Sequence, residues 1–335
     1  MIYANVYADT RVNNSLFALE DDVHRFNPTY TPRLLRKAFL KHDIELNTPD
    51  LNVGRNIDFD FYIEGRAYDD NGIPKFLLAL ENPHLNQLNE DAIYCGKFVK
   101  SFSWNLRLHT LPNVVPILIP HPLIVHSAPD FSQRKIFSCL INANKAFKTY
   151  LSSDLYLERI LTIRWYERYA PDMFQLYGQG WDKSTPAFNF LGKLKRIIPR
   201  IKTRLFGSKP YPSFAGVVMD KSDVLRFSKY SYCYENCNDL NNYITEKLFD
   251  SLVCGCVPVY WGAGNVDEFI PNNCFIDRRQ FKNTAAVHAH LVAITEAQYT
   301  QYQANIIKFL KSDAAKKFSA ASVVATIVEN VIANV

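Results

Sequence analysis

The chain has 335 residues, of which 48% are hydrophobic and 21% charged, so it is long enough for two folded domains and too apolar to be disordered. Only 12 residues are glycine, and neither G-x-x-x-x-G-K-[ST] nor G-x-G-x-x-G occurs, which argues against P-loop enzymes and ordinary dinucleotide-binding dehydrogenases. The net charge is +5, yet residues 183–219 alone carry +8, so the rest of the chain sums to −3. A local basic segment of this kind argues against a general affinity for nucleic acid, and we expect no nucleic-acid partner.

Short apolar runs typical of strands alternate with helical patterns along the chain. The predicted strands are residues 2–8, 57–63, 76–80, 92–95, 136–141, 174–177, 230–234 and 257–261. Helices are predicted from about 153 to 169, from 243 to 253, and twice between 296 and 335. This alternation predicts an α/β fold with mostly parallel sheets. The proline-punctuated stretch 111–131 is the predicted join, which gives domains at 1–130 and 131–315 and a C-terminal helix at 316–335.

The sequence also predicts a compartment. The first residues show no basic stretch followed by an apolar core, and no run of about 18 apolar residues occurs elsewhere. The seven cysteines include no C-x-x-C pair, so we expect reduced, buried thiols and no structural zinc. These features predict a cytoplasmic protein that is at most peripheral to a membrane.

Residues 229–262 have the pattern of a strand, a polar loop, a helix and a second strand. Loops after the carboxyl ends of parallel strands are where such sheets bind ligands, and Asn236, Tyr243, Glu246 and Lys247 fall in this loop or just after it. On the predicted helix 243–253, the spacing of Tyr243, Glu246 and Lys247 puts the three side chains on one face, at the end where the dipole favours an anion. A lysine there suits a diphosphate. The alternative is a common first-turn acid beside a solvated lysine.

The same residues resemble a known family. The segments K-Y-S-Y-C-Y-E-N at 229–236, Y-I-T-E-K-L-F at 243–249 and G-C-V-P-V-Y-W-G at 255–262 are similar to the signature block of the α-1,3/4-fucosyltransferases, which are inverting family 10 glycosyltransferases. Upstream, Asn144, Arg159 and Tyr177-Gly178 resemble the family's N…R…Y-G arrangement, and Leu80-Glu81-Asn82 resembles the segment with its catalytic carboxylate.

The resemblance implies a GT-B fold, in which two Rossmann-like domains face each other across a cleft, the N-terminal one binding the acceptor and the C-terminal one the GDP-sugar. It implies Glu81 as the general base, Lys247 on the diphosphate and Glu246 on the ribose. Some family members carry an Arg-Asn pair before the signature strand that is absent here. Lys221, Arg226 or Arg159 could take the place of that arginine, and Lys221 is the preferred one. The alternative for each of them is a surface cation. The complete implied donor-binding set is Asn236, Tyr243, Glu246, Lys247, Lys221, Arg159 and Glu235.

The implied reaction is transfer of fucose from GDP-fucose to a hydroxyl of a glycan, with no cofactor and no essential divalent metal. The expected acceptor is an N-acetylglucosamine- or glucose-type residue of a surface polysaccharide or lipopolysaccharide, linked α-1,3. Two alternatives stay open, namely another GDP-sugar as donor and a non-catalytic protein that binds a glycan or a nucleotide.

Two further sequence features have competing interpretations. Asp58-Phe59-Asp60 is the D-x-D pattern by which GT-A glycosyltransferases hold a metal ion, but a strand with one polar face explains it as well. The basic segment 193–209 could contact an anionic membrane surface, although a solvated insertion explains its charge too.

Overall fold

The structure is a computed structural model that describes residues 1–9, 11–18, 29–186 and 209–335. It divides the chain into two compact units. The first contains residues 1–123, 241–243 and 313–335, and the second contains residues 124–240 and 244–312. The division after residue 123 falls within the proline-punctuated stretch of the sequence.

The first unit is built on a six-stranded parallel sheet. Its strands are β1 (Ile2–Tyr7), β2 (Ile44–Asn47), β3 (Phe59–Ile63), β4 (Lys75–Ala79), β5 (Lys100–Ser103) and β6 (Val114–Pro116). They lie in the order β2-β1-β3-β4-β5-β6. Helix α1 (Tyr30–Leu40) follows β1, and the short helix α2 (Ala92–Cys95) follows β4.

Both faces of this sheet are buried, which explains its nearly continuous apolar strands. In β3, Phe59 and Phe61 are fully buried in a core that includes side chains of α1. Tyr62, the next residue along β3, faces a second core together with Leu77 of β4. The two-residue period of the strand thus distributes apolar side chains to both sides of the sheet.

The second unit contains another six-stranded parallel sheet. Its strands are β7 (Ile136–Ile141), β8 (Phe174–Tyr177), β9 (Phe214–Gly216), β10 (Ser228–Tyr234), β11 (Val257–Trp261) and β12 (Ile276–Asp277). Their order is β12-β11-β10-β7-β8-β9. Among the described residues of this unit, the helices are α3 (Leu155–Tyr169), α4 (Ser222–Leu225), α5 (Glu246–Val253), α6 (Thr284–Ala293) and α7 (Glu296–Leu310). The predicted α/β class with parallel sheets is confirmed.

The C-terminal residues belong to the first unit. They form α8 (Asp313–Lys316) and α9 (Ala320–Ile332). Val324 and Ile327 of α9 are buried in the same core as Phe39 of α1. The predicted pair of helices between residues 296 and 335 therefore corresponds to α7 and α9.

Some predicted elements are wrong or missing. Residues 92–95 were predicted as a strand but form α2, because Asp91 caps the helix by accepting hydrogen bonds from the backbone N–H groups of Ile93 and Tyr94 at 2.9 and 3.0 Å. The strands β2, β5, β6, β9 and β12 were not predicted. Each has two to four residues, which is too short for a clear alternating pattern.

The cysteines and the apolarity of the helices can be compared with the sequence predictions. All seven cysteines are buried and free, as predicted. Within the described ranges, no helix is long and apolar enough to cross a membrane. Most of the basic segment 193–209 lies outside the described residues.

Arg134 is buried in the second unit, where its side chain connects stretches of the backbone. Its guanidinium donates to the carbonyl oxygens of Leu225 at 3.2 Å, Ser228 at 2.7 Å and Cys254 at 3.0 Å. These oxygens belong to two stretches of chain, residues 225–228 and Cys254, which lead into the adjacent strands β10 and β11. Gly255, which follows Cys254, has a φ of +61° and ends α5 with hydrogen bonds from Gly255 to Leu252 and from Cys256 to Ser251.

Replacing Arg134 with methionine should lower the free energy of unfolding by about 2–4 kcal/mol, because three buried carbonyl groups would lose a charged donor. Chemical denaturation measures this difference. The exposed neighbour Lys135, replaced in the same way, serves as the control and should change stability by less than about 0.5 kcal/mol. Equal stabilities of the two variants would contradict the role of Arg134.

Candidate functional site

A buried carboxylate follows the central strand β10. Glu235 is fully buried, and its Oε1 accepts a hydrogen bond from the Thr245 backbone N–H at 2.8 Å. Its Oε2 accepts from the Thr245 hydroxyl at 2.7 Å and from the Lys247 ammonium at 3.2 Å. Glu235 therefore fixes both the residue before α5 and the second residue of that helix.

Thr245 is the N-cap of α5. It has extended dihedral angles, and its side chain accepts from the Lys247 backbone N–H. Asn242, three residues earlier, has a φ of +64° and turns the chain just before the helix. The predicted helix start at Tyr243 is therefore wrong, and α5 begins at Glu246 because Glu235 and Thr245 hold the preceding residues extended.

The later start of α5 changes the predicted shared face. Glu246 and Lys247 lie in the first turn of α5, where the helix dipole favours an anion. Tyr243 is not on the helix. It is buried among residues of the first unit, with its ring 5.0 Å from that of Trp104. The idea that one helix face presents Tyr243 together with Glu246 and Lys247 is therefore incorrect.

Lys247 is an almost buried cation among oxygen atoms. Its ammonium lies 3.0 Å from the Thr245 hydroxyl, 3.2 Å from Glu235 and 3.5 Å from Glu246, and its side chain is 12% exposed. Burial by itself lowers the pKa of Lys247, but the charges of Glu246 and Glu235 outweigh this effect and raise that pKa above its ordinary value. Lys247 is therefore positively charged at neutral pH, and the Glu246 side chain beside it is 51% exposed.

Lys221 is the second cation of this neighbourhood. Its ammonium lies 2.6 Å from Oδ2 of Asp250, one turn along α5 from Glu246. Burial raises the pKa of Asp250 to about 7, even though Lys221 opposes the shift. Burial lowers the pKa of Lys221, but Asp250 and Glu246 outweigh it and give a net increase. The structure thus brings Lys221 close enough to the start of α5 to interact electrostatically with Glu246 and Lys247.

Arg159 of α3 holds the loop that carries the candidate residues. Its Nη2 donates to the backbone oxygens of Tyr234 at 2.6 Å and Glu235 at 2.8 Å, and to Oδ1 of Asn236 at 3.2 Å. The guanidinium is buried, with its central carbon 4.5 Å from the ring of Tyr156. These contacts give Arg159 a positioning role, while its direct contact with a donor stays a prediction.

A glycine that the sequence reasoning did not single out shapes the same site. A Cβ at Gly262, directly after β11, would overlap Cγ of Glu235 and the hydroxyl of Tyr260. Only glycine leaves room there for the Glu235 side chain in this conformation. The G-x-V-P-V…W-G pattern already contained this residue, but its reason becomes visible only when β10 and β11 lie side by side.

The other candidate, Glu81, belongs to the first unit. It is exposed and lies just after the carboxyl end of β4, as predicted, and its Oε1 accepts a hydrogen bond from the Asn82 backbone N–H at 2.8 Å. Its own backbone N–H donates to Oε2 of Glu64 at 2.9 Å. Glu64, just after β3, was missed in the sequence, although Ile63-Glu64-Gly65 repeats the strand-then-glutamate pattern of Leu80-Glu81.

The D-x-D residues have other contacts. Oδ2 of Asp58 accepts from the Tyr3 backbone N–H at 2.8 Å. Oδ1 of Asp60 accepts from the Asn5 amide at 3.0 Å, and its Oδ2 lies 3.6 Å from the Lys75 ammonium, with both side chains 1% exposed. The two carboxylates therefore serve the first sheet, which supports the interpretation as a strand with polar positions.

Comparisons with known proteins agree with the signature block. Residues 193–318 match the family model for glycosyltransferase family 10 (fucosyltransferase), C-terminal part. An α-(1,4)-fucosyltransferase of Arabidopsis thaliana is 35% identical over 78 residues, which is 23% of this chain and 19% of that protein. The α-(1,3)-fucosyltransferase FucT of Helicobacter pylori is 32% identical over 66 residues, or 20% of this chain and 14% of that protein. The matches therefore span less than a fifth of either relative's length.

The solved structures extend the likeness to the whole fold. An α1,3-fucosyltransferase crystallised with GDP-fucose has a TM-score of 0.52 and 12% sequence identity, covering 98% of this chain and 90% of that one. This likeness confirms the GT-B fold, whose two domains correspond to the two parallel-sheet units. Residues 193–318 thus match the C-terminal model of glycosyltransferase family 10, the family that the signature residues resemble.

Proposed function

We propose that this chain is an inverting glycosyltransferase that moves fucose from GDP-fucose to a hydroxyl group of a glycan. The observation that carries the proposal is the Lys247 ammonium at the N-terminus of α5, held by Glu235 and Thr245 within the family's signature block. The similar α1,3-fucosyltransferase, which was crystallised with GDP-fucose, supports the choice of donor.

The donor diphosphate would bind to Lys247 at the N-terminal end of α5, where the helix dipole favours negative charge. Lys221 is the preferred second cation, since it lies in the same electrostatic neighbourhood. Glu246 is exposed and can accept hydrogen bonds from the ribose hydroxyls. As the bond to GDP breaks, negative charge grows on the diphosphate, and fixed positive groups stabilise that charge. We therefore propose that no divalent metal is essential.

Glu81 would act as the general base. An acceptor hydroxyl has a pKa far above neutrality, so a carboxylate must take its proton as the new bond forms. Glu81 is exposed, and its Oε1 is held by the Asn82 backbone N–H, which limits the orientations of the carboxylate. The acceptor oxygen would bond to the anomeric carbon as the bond from that carbon to the GDP oxygen breaks, inverting the configuration.

The acceptor is the least constrained part of the proposal. We propose an N-acetylglucosamine- or glucose-type residue, linked α-1,3, in a surface polysaccharide or lipopolysaccharide. The two named relatives form different linkages, α-(1,4) and α-(1,3), so the family leaves the position open. A cytoplasmic location with peripheral membrane contact through residues 193–209 would suit an acceptor carried on lipid.

A donor screen tests the proposal against its alternatives. Release of GDP is measured with GDP-fucose, GDP-mannose and UDP-glucose, with and without a glycan acceptor and with and without EDTA. Acceptor-dependent turnover of GDP-fucose in EDTA supports the proposal. Turnover of GDP-mannose alone would favour another GDP-sugar, and binding without turnover would favour a non-catalytic protein.

Replacing Lys247 with methionine should weaken GDP-fucose binding about 10- to 100-fold, because a charge-assisted hydrogen bond contributes about 1.5–3 kcal/mol. Calorimetric titration measures the dissociation constant. Lys308, an exposed residue of α7, gives the matched control when replaced with methionine. Unfolding curves establish that both variants are folded, and wild-type affinity in the Lys247 variant would rule out its contact with the diphosphate.

Replacing Glu81 with glutamine should lower kcat by about 10²- to 10⁴-fold and leave the dissociation constant of GDP-fucose unchanged, since general base catalysis contributes rate enhancements of this size. Steady-state kinetics and calorimetry measure the two quantities. Asp70 is also an exposed carboxylate of the first unit, so Asp70→Asn serves as the control. An E81Q variant with the kcat of the wild type would remove Glu81 as the base.

A further inference from the structure

We propose that Glu64 is a positioning residue for Glu81, whose charged carboxylate holds the backbone at the end of β4 in the conformation that the reaction needs. This inference rests on the proposed function, in which Glu81 is the base. In this proposal Glu64 itself contacts neither the donor nor the acceptor.

The hydrogen bonds of Glu64 converge on one oxygen atom. Oε2 accepts from the backbone N–H groups of Leu80 at 3.1 Å and Glu81 at 2.9 Å, and from the side-chain amide of Asn89 at 2.6 Å. Leu80 and Glu81 follow the last residue of β4, and their backbone N–H groups need an acceptor there. Glu64 supplies that acceptor at the residue whose side chain would take the proton.

The pairing of β3 with β4 places Glu64 next to Leu80 and Glu81. Ile63 of β3 pairs in register with Leu78 of β4, so the residues that follow the two strands are neighbours. The carboxylates divide the N–H groups at the end of β4 between them, since Glu64 binds those of Leu80 and Glu81, while Glu81 binds that of Asn82. The backbone on both sides of the Glu81 side chain is thereby held by a carboxylate.

The segment that carries Glu64 is itself held in an unusual conformation. Glu64 has a φ of +65°, which costs a non-glycine residue on the order of 1 kcal/mol or more. The Asn89 carboxamide accepts from the Gly65 N–H at 2.7 Å and donates to the carbonyl of Glu81 at 3.0 Å, which bridges the two turns. The Tyr94 hydroxyl donates to the carbonyl of Arg66 at 2.8 Å. These contacts keep the Glu64 carboxylate directed at β4 despite the strain.

The protonation state of Glu64 is expected to change near neutral pH. Burial raises the pKa of Glu64 to about 7, the negative charge of Glu81 adds to the increase, and the hydrogen bonds from Glu81, Asn89 and Leu80 oppose it. Arg66 is the cation on the same turn, and its guanidinium donates to the backbone carbonyls of Ile63 and Glu64 rather than to the carboxylate. A neutral carboxyl group is a weaker acceptor than a carboxylate, so the hold on Leu80 and Glu81 weakens as the pH falls through about 7.

The first test is the pH dependence of kcat at saturating donor and acceptor. The wild type should lose activity as the pH falls from 8 to 6, with a midpoint near 7. E64Q should show a kcat lowered about tenfold at pH 8 and no such limb, with the dissociation constant of GDP-fucose unchanged, and E64D should retain the limb. Asp70→Asn is the control and should follow the wild type. A flat wild-type profile, or an E64Q variant with the kcat and profile of the wild type, would overturn the inference.

A second test needs no activity. Because its folded-state pKa is raised, Glu64 favours the folded state most below its unfolded pKa, and this contribution is lost as the pH rises through about 7. The melting temperature of E64Q relative to the wild type should therefore increase between pH 5 and pH 8, and a constant difference would overturn the inference. If the wild type turns over GDP-fucose and E81Q does not, but E64Q behaves as the wild type, only this inference fails. If the wild type turns over no GDP-fucose, the proposed function fails.

Discussion

The site in the second unit depends on one buried carboxylate. Glu235 has no exposed surface, and burial raises the pKa of its carboxyl group, while the two donors of Thr245 and the ammonium of Lys247 oppose that increase. Its requirement for partners determines where α5 begins, because Thr245 must stay extended to reach it. The same requirement places Lys247 at the N-terminus of the helix. A structural need of the fold thus produces the cation that the proposed chemistry uses.

The first unit shows the same principle at the end of its own sheet. A parallel ladder leaves N–H groups without strand partners where β4 ends, and Glu64 from the neighbouring strand accepts two of them. In the first unit, a glutamate after β3 binds the residues that follow β4, and in the second unit a glutamate after β10 binds the residues at the start of α5. The difference is that Glu64 carries strain in its own backbone, while Glu235 is accommodated by Gly262, which has no Cβ to collide with it.

The sequence predicted the long central strands well and the loops poorly. The bounds of β7, β8 and β11 were predicted to the residue, since these strands are apolar runs with clear ends. Lys247 and Glu81 are predicted through family motifs, and their roles stay predictions. Tyr243 was misplaced because helical periodicity cannot reveal that Glu235 holds Thr245 outside the helix. Glu64 was missed because one sequence does not show that β3 and β4 are neighbours in register.

The scarcity of glycine in the sequence agrees with the way in which the proposed site would bind phosphate. A glycine-rich loop binds phosphate with a concave row of backbone N–H groups, whereas this chain offers lysine side chains and one helix start. Three carboxylates, Glu235, Glu246 and Asp250, lie beside Lys221 and Lys247, so a diphosphate at the proposed site would meet ammonium groups that already have anionic partners. A preference of the proposed site for a diphosphate would have to come from the positions of the lysine side chains. Lys247 keeps 12% of its side chain exposed and Glu235 none, so an incoming phosphate would meet the ammonium before the buried carboxylate.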